Sequence, residues 1–250
     1  MREVLFILDN TENLSYNPEA WTRVFHASWY KHQMTGWSKS SYWLLGIGLV
    51  ILLITGFMGG FSWLALTSTL AGMIGFTCTI SITNGKAING ITGFVSALLL
   101  IGVALHTKNF SDIIMQGAYI VLLDIPVLLN KEWGTDFEPR KMNMKYALQT
   151  LAWFIGFFIA TYALDTFLGS PRVLIDAFSA TIGLTGAILT VRRFSFAYIL
   201  WTLQGITSVA LWFVTALQGH AVWVLMLTYI LYLANDMVAF FDSKWFKIRK

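Results

Sequence analysis

Charge is scarce in this sequence. Asp, Glu, Lys and Arg make up 12% of its 250 residues, about half the share found in soluble domains, which argues against a water-soluble enzyme. A single cysteine, Cys78, excludes an internal disulfide and any Cys-rich metal site. The four histidines (His26, His32, His106 and His220) are scattered, without His-Glu-x-x-His spacing, so neither a metal nor a cofactor is expected. There is no Gly-x-Ser-x-Gly and no phosphate loop, so enzyme chemistry has no anchor. Four prolines and no low-complexity tract leave little room for linkers. The net charge is +4, but the basic residues fall between apolar runs and form no basic face, so no nucleic-acid partner is expected. The first forty or so residues are polar, unlike a secretory signal.

What the sequence has in place of charge is apolar length. Hydrophobic residues make up 56%, and 11 are tryptophans, which gather at membrane interfaces. Apolar runs lie at roughly 42–59, 62–82, 88–106, 111–130, 146–168, 173–191, 196–218 and 221–241. Each approaches the ~20 residues that carry a helix across a bilayer. Gly59-Gly60 divides the first two runs, which together are too long for one crossing. The expectation is an all-α integral membrane protein of about eight transmembrane helices, the first to eighth spans. Ahead of them, residues 1–16 read as an irregular lead. Asn17-Pro18-Glu19 reads as a helix start: a cap, a first-turn proline and an acid at the positive end of the dipole. Trp21, Val24, Phe25, Ser28 and Trp29 then recur at helical spacing, as in an amphipathic helix lying among headgroups or packing on a partner subunit.

Orientation follows from counting. With both ends of an eight-span chain on one side, that side holds the N-terminal segment, the loops at 83–87, 131–145 and 192–195, and the tail. It collects 15 of the 17 basic residues, among them Arg23, Lys86, Lys131, Arg140, Lys141, Arg192 and Arg193. Only Lys108 and Arg172 lie opposite. The positive-inside rule places both termini in the cytoplasm.

The spans also repeat. Ser68-Thr69-x-x-Gly72-x-x-Gly75 of the second matches Ser179-Ala180-x-x-Gly183-x-x-Gly186 of the sixth at an offset of 111. Tyr119-Ile120-x-x-x-Asp124 of the fourth matches Tyr229-Ile230, followed by Asn235-Asp236, of the eighth. The reading is an N-terminal extra span plus a 3+1+3 core of parallel repeats. Its parts are an interfacial segment at 1–39, an extra helix at 40–60 and a three-helix unit at 61–131. A loop and connecting helix at 132–170, a second unit at 171–242 and a basic tail at 243–250 complete it. Parallel repeats place a substrate site near their shared axis at midplane.

Polar residues inside the spans mark candidates for that site, since an Asp at a helix centre costs ~2.5–3.5 kcal/mol on insertion scales. Asp124 and Asp236 lie in corresponding helices, whereas Asp165 and Asp176 lie near span ends and read as interfacial. Thr228, Tyr232, Asn235 and Asp236 share one face of the eighth span, and Gln116 lies between Tyr119 and Asp124 in angle on the fourth. Pro126 follows Asp124, which leaves open a second reading in which the acid satisfies a carbonyl that the proline frees. Trp201, Gln204, Gly205, Ser208 and Trp212 form a stripe on the seventh span, and Asn89, Thr92, Gly93 and Ser96 an equivalent one on the third. The candidate substrate-binding set is Asn89, Gln116, Tyr119, Asp124, Trp201, Gln204, Thr228, Tyr232, Asn235 and Asp236. Tryptophan faces, tyrosine hydroxyls and amides suit a flat heteroaromatic ring joined to a sugar.

These residues resemble the PnuC-type vitamin transporters. The similar pieces are Ser68-Thr-Leu-Ala-Gly72, Lys86-Ala-Ile-Asn89 with Gly93, Gln116, Asp176-Ala-Phe178, and Arg192-Arg193 leading to Trp201, over about residues 60–245. Tyr198-x-x-Trp201 stands where the family has Trp-x-x-Trp, Phe196-Ala197 replaces an acid–amide pair, and Ser96 replaces an amide in the third span. The resemblance implies uptake of nicotinamide riboside by facilitated diffusion across the bacterial inner membrane, with cytoplasmic phosphorylation trapping the product. It also implies a homotrimer embedded in lipid and a SWEET-like duplicated fold. Trp201 would then face the ring, Gln204 and Gln116 the carboxamide or ribose, and Asn235 and Asp236 the ribose hydroxyls. Thiamine or riboflavin as cargo, and a non-transporting membrane scaffold subunit, are the alternatives.

Overall fold

The computed structural model describes residues 18–107, 110–130, 132–133, 137–170, 173–217 and 223–246. Eight helices among them are long and apolar enough to cross a membrane: Lys39–Gly56, Trp63–Thr83, Asn89–His106, Asp112–Leu129, Met144–Phe167, Val173–Val191, Ala197–Leu217 and Trp223–Asp242. Every end falls within three residues of the apolar run that announced it. Ser38, Ser62 and Asn143 cap the first, second and fifth spans, each side chain accepting from a backbone N–H three residues on. Gly60, at φ +92°, turns the chain between the first two spans, which are therefore separate.

Six spans close into a ring. The second packs on the third, the third on the fourth, the fourth on the sixth, the sixth on the seventh, the seventh on the eighth, and the eighth back on the second. The first span lies outside the ring against the second and eighth, and the fifth lies outside against the sixth. The sixth span is buried along almost all of Asp176 to Val191, whereas the fifth buries only Thr150 and Asp165. Small residues set the close approaches, as van der Waals packing in lipid requires. Gly72 meets the Thr228 hydroxyl, and Gly183 meets Tyr119 and Gln204.

Two expectations are corrected. The single amphipathic helix is broken: Pro18–Phe25 is a 3-10 helix, His26 is extended, and Ala27–Gln33 is a separate α-helix. The reason is a docking contact, because Arg23 Nη2 donates to Leu128 O and Asn130 O at 3.2 Å each, satisfying carbonyls at the end of the fourth span. Asp165 and Asp176, read as interfacial, are covered by protein. Ser170, after the fifth span, donates its hydroxyl to the Asp176 carboxylate and its N–H to Asp165 O. Residues 1–17, Lys108, Lys131, Arg172 and 247–250 lie outside the described residues.

Candidate functional site

The ring encloses a cavity of about 120 Å³, lined from its second, third, fourth, seventh and eighth spans. The fourth span is shaped for it. Its helix widens into a π turn at Ile120–Asp124, where Ile125 N–H reaches Ile120 O. The turn ends beside Pro126, which has no N–H to continue a regular ladder. Gln116, Tyr119, Leu123 and Asp124 line the cavity around it.

The two acids differ in their surroundings. Asp236 accepts from Thr202 Oγ1 at 3.0 Å. The Asp124 carboxylate lies against Gly93 of the third span and its backbone carbonyl against Gly90, and its Oδ2 has no hydrogen-bond partner among the described residues. That oxygen satisfies no carbonyl freed by Pro126 among the described residues. Two more buried polar atoms of the wall lack partners, Tyr119 Oη and Gln204 Oε1. Native interiors rarely leave such atoms unpaired, because each costs about 1–3 kcal/mol.

Aromatic rings fill the rest of the wall. Trp201 donates Nε1–H to Thr190 Oγ1 at 2.7 Å and meets Tyr119 edge-on, with centroids 6.0 Å apart. Tyr232 stacks on Phe76 and meets Tyr229 edge-on at 5.2 Å. No Lys, Arg or His is among the described residues lining the cavity. At its end nearest the described termini, the lining Tyr198 packs on Trp245, and Trp245, Phe137 and Trp133 continue ring against ring. Trp245 Nε1 donates to Ile82 O and Trp133 Nε1 to Val191 O, which ties that layer to the ends of the second and sixth spans. Nearby, burial pushes Arg192 and Arg193 below the usual guanidinium range. Arg193 is paired with Glu132, and Arg192 lies over the rings of Tyr146, Trp153 and Phe194 at 5.0–5.3 Å.

Seven of the ten candidates from sequence come together here: Gln116, Tyr119, Asp124, Trp201, Gln204, Tyr232 and Asp236. Three do not line the cavity. Asn235 joins the eighth span to the second, accepting from Thr83 Oγ1 and donating to Thr79 O. Thr228 bonds its own helix at Val224 O and packs on Gly72. Asn89 donates to Lys86 O at the start of the third span. Sequence reasoning missed Cys78 and Thr79, ordinary small residues on an apolar helix. It also missed Tyr198 and Tyr229, although Tyr198 stands one turn before Trp201 on the same face.

Eight apolar helices, six of them in a closed ring around a cavity with unpaired polar atoms, define a multi-pass membrane protein. The sequence model of the family described as "Nicotinamide mononucleotide transporter" matches residues 62–247, about three quarters of the chain, and the chain belongs to that family. The fold is similar to that in "Crystal structure of the Vitamin B3 transporter PnuC", at 20% identity and a TM-score of 0.75, covering 88% of this chain and 96% of that one. None of the curated protein sequences matches the chain.

Proposed function

We propose that the protein takes up nicotinamide riboside by facilitated diffusion across the bacterial inner membrane, with both termini in the cytoplasm. The observation that carries this reading is the bare Asp124 carboxylate in a cavity walled by Trp201, Tyr119 and Tyr232. A flat ring with a fixed positive charge gains from both the acid and the aromatic faces. The mononucleotide's phosphate would face Asp124 and Asp236 with no cationic side chain among the described lining residues, so the riboside is the better cargo. Passive transport fits a chain without a nucleotide-binding motif. The 3+1+3 organisation is supported by the ring, in which the units at 61–131 and 171–242 make matching contacts and the connecting fifth span stays outside. A homotrimer in lipid is retained from the resemblance, with the exposed fifth span as available surface.

Calorimetry on the purified chain with nicotinamide riboside, its mononucleotide, thiamine and riboflavin tests the cargo. The riboside is expected to bind at least about tenfold more tightly than the mononucleotide, as unpaired buried charge requires. Tighter binding of thiamine, which is also cationic, would reassign the cargo. Proteoliposomes should fill to equal concentrations inside and out without an ion gradient. Accumulation driven by sodium or a pH step would end the uniporter reading.

A further inference from the structure

The cavity wall is rich in acceptors, and one residue behind it accounts for part of that. Gln116 is buried, and its Nε2 donates to Asp112 Oδ1 at 3.1 Å, one turn earlier on the fourth span. A carboxylate only accepts, so this bond fixes which end of the amide is nitrogen. With its nitrogen held, Gln116 offers a ligand its carbonyl oxygen. Gln204 is arranged similarly, with Nε2 donating to Ser208 and Ser179 at 3.3 and 3.4 Å and Oε1 without a partner. Serine hydroxyls rotate and can donate or accept, so only at Gln116 does a charged group impose the orientation. Asp112 is 9% exposed and does not itself line the cavity.

We propose that Asp112 is a positioning residue that makes the site select a carboxamide over a carboxylate, by holding the Gln116 oxygen toward the ligand. The assignment rests on the riboside reading above. The Gln116 oxygen then joins the unpaired Asp124 Oδ2 as an acceptor, while Gln204 Oε1 lies against Gly183 of the sixth span. A ligand carboxamide supplies N–H donors to such a wall. A carboxylate at the same place sets lone pairs against lone pairs and adds a second negative charge near Asp124. Sites built to receive a donor reject the analogue that lacks it, because their buried acceptors stay unpaired.

The test compares nicotinamide riboside with nicotinic acid riboside by calorimetry on the purified full chain. Wild-type protein should prefer the amide by at least about tenfold. Asp112→Asn leaves Gln116 free to invert, because the new side chain can donate as well as accept, and should narrow the preference to within about threefold. Asp112→Glu keeps an acceptor-only partner and should restore it. Gln116→Met removes the amide without changing charge and should narrow the preference even where Asp112→Asn fails to fold. A merely structural Asp112 would weaken both ligands together and leave their ratio unchanged. An unchanged ratio in folded Asp112→Asn or Gln116→Met, or equal binding of both ligands by wild-type protein, overturns the assignment and leaves the transport reading standing. Wild-type protein that binds neither riboside overturns both.

Discussion

A methyl group on position 93 would overlap the Asp124 carboxylate, so Gly93 is the residue that lets the third and fourth spans meet around an uncovered acid. Gly93→Ala should displace that carboxylate and weaken riboside binding by at least about tenfold, the scale of one lost charged contact. Gly102→Ala is the control, since a Cβ there meets nothing within 4 Å, and it should leave affinity unchanged. Calorimetry on both variants checks this, and equal affinities would show that Asp124 does not touch the ligand. At this scale the sequence was legible wherever a polar residue stood out against an apolar helix, as Gln116, Gln204 and Asp236 do. It misled at Asn235, which lies next to Asp236 in sequence but is turned toward Thr83 by the ~100° step of the helix. Thr79 and Cys78 gave no signal because small residues are ordinary at helix contacts in lipid.

Among the elements, span boundaries were the most legible feature, because bilayer thickness sets their length whatever they pack against. The π turn at Ile120–Asp124 was not legible: Pro126 marks a break in the ladder, but the extra residue per turn depends on neighbours in the third and sixth spans. The broken N-terminal helix was hidden for a similar reason, since Arg23 finds its partners 105 and 107 residues away. The Arg192 contact joins the fifth span to the end of the sixth through two ring faces, Tyr146 and Trp153, with Phe194 as a third ring beside it, and its guanidinium nitrogens have no hydrogen-bond partners among the described residues. A lysine is a point charge that cannot lie flat on several rings. Arg192→Lys should therefore cost about 2 kcal/mol and lower the melting temperature in detergent by about 4–8 °C. Riboside affinity should not change, because Arg192 does not line the cavity. Thermal unfolding followed by tryptophan fluorescence checks it, and an unshifted midpoint would mean the rings contribute packing alone.

For the whole molecule, the proposed orientation rests on basic loops gathered at one end, where Arg23, Lys86 and Arg193 are all found. In a Cys78→Ala background, Lys141→Cys should resist a membrane-impermeant thiol reagent in intact cells and react after permeabilisation. Labelling in intact cells would invert the molecule. The matched glycines of the second and sixth spans were readable in the sequence, though the ring that the spans close into was not. That the first span packs against the second as the fifth does against the sixth was not, because both present a largely apolar surface to lipid.

The two halves of the ring differ at one pair of positions with a reach beyond packing. Thr202 covers Asp236, whereas the third span offers Asp124 only glycine. Two equally bare acids would let an elongated cation lie either way round, as a symmetric socket accepts a reversible plug. With one acid already engaged, the charged ring of the proposed cargo would have a single preferred resting place. Each molecule carried would then cross in the same attitude, with the same end leading.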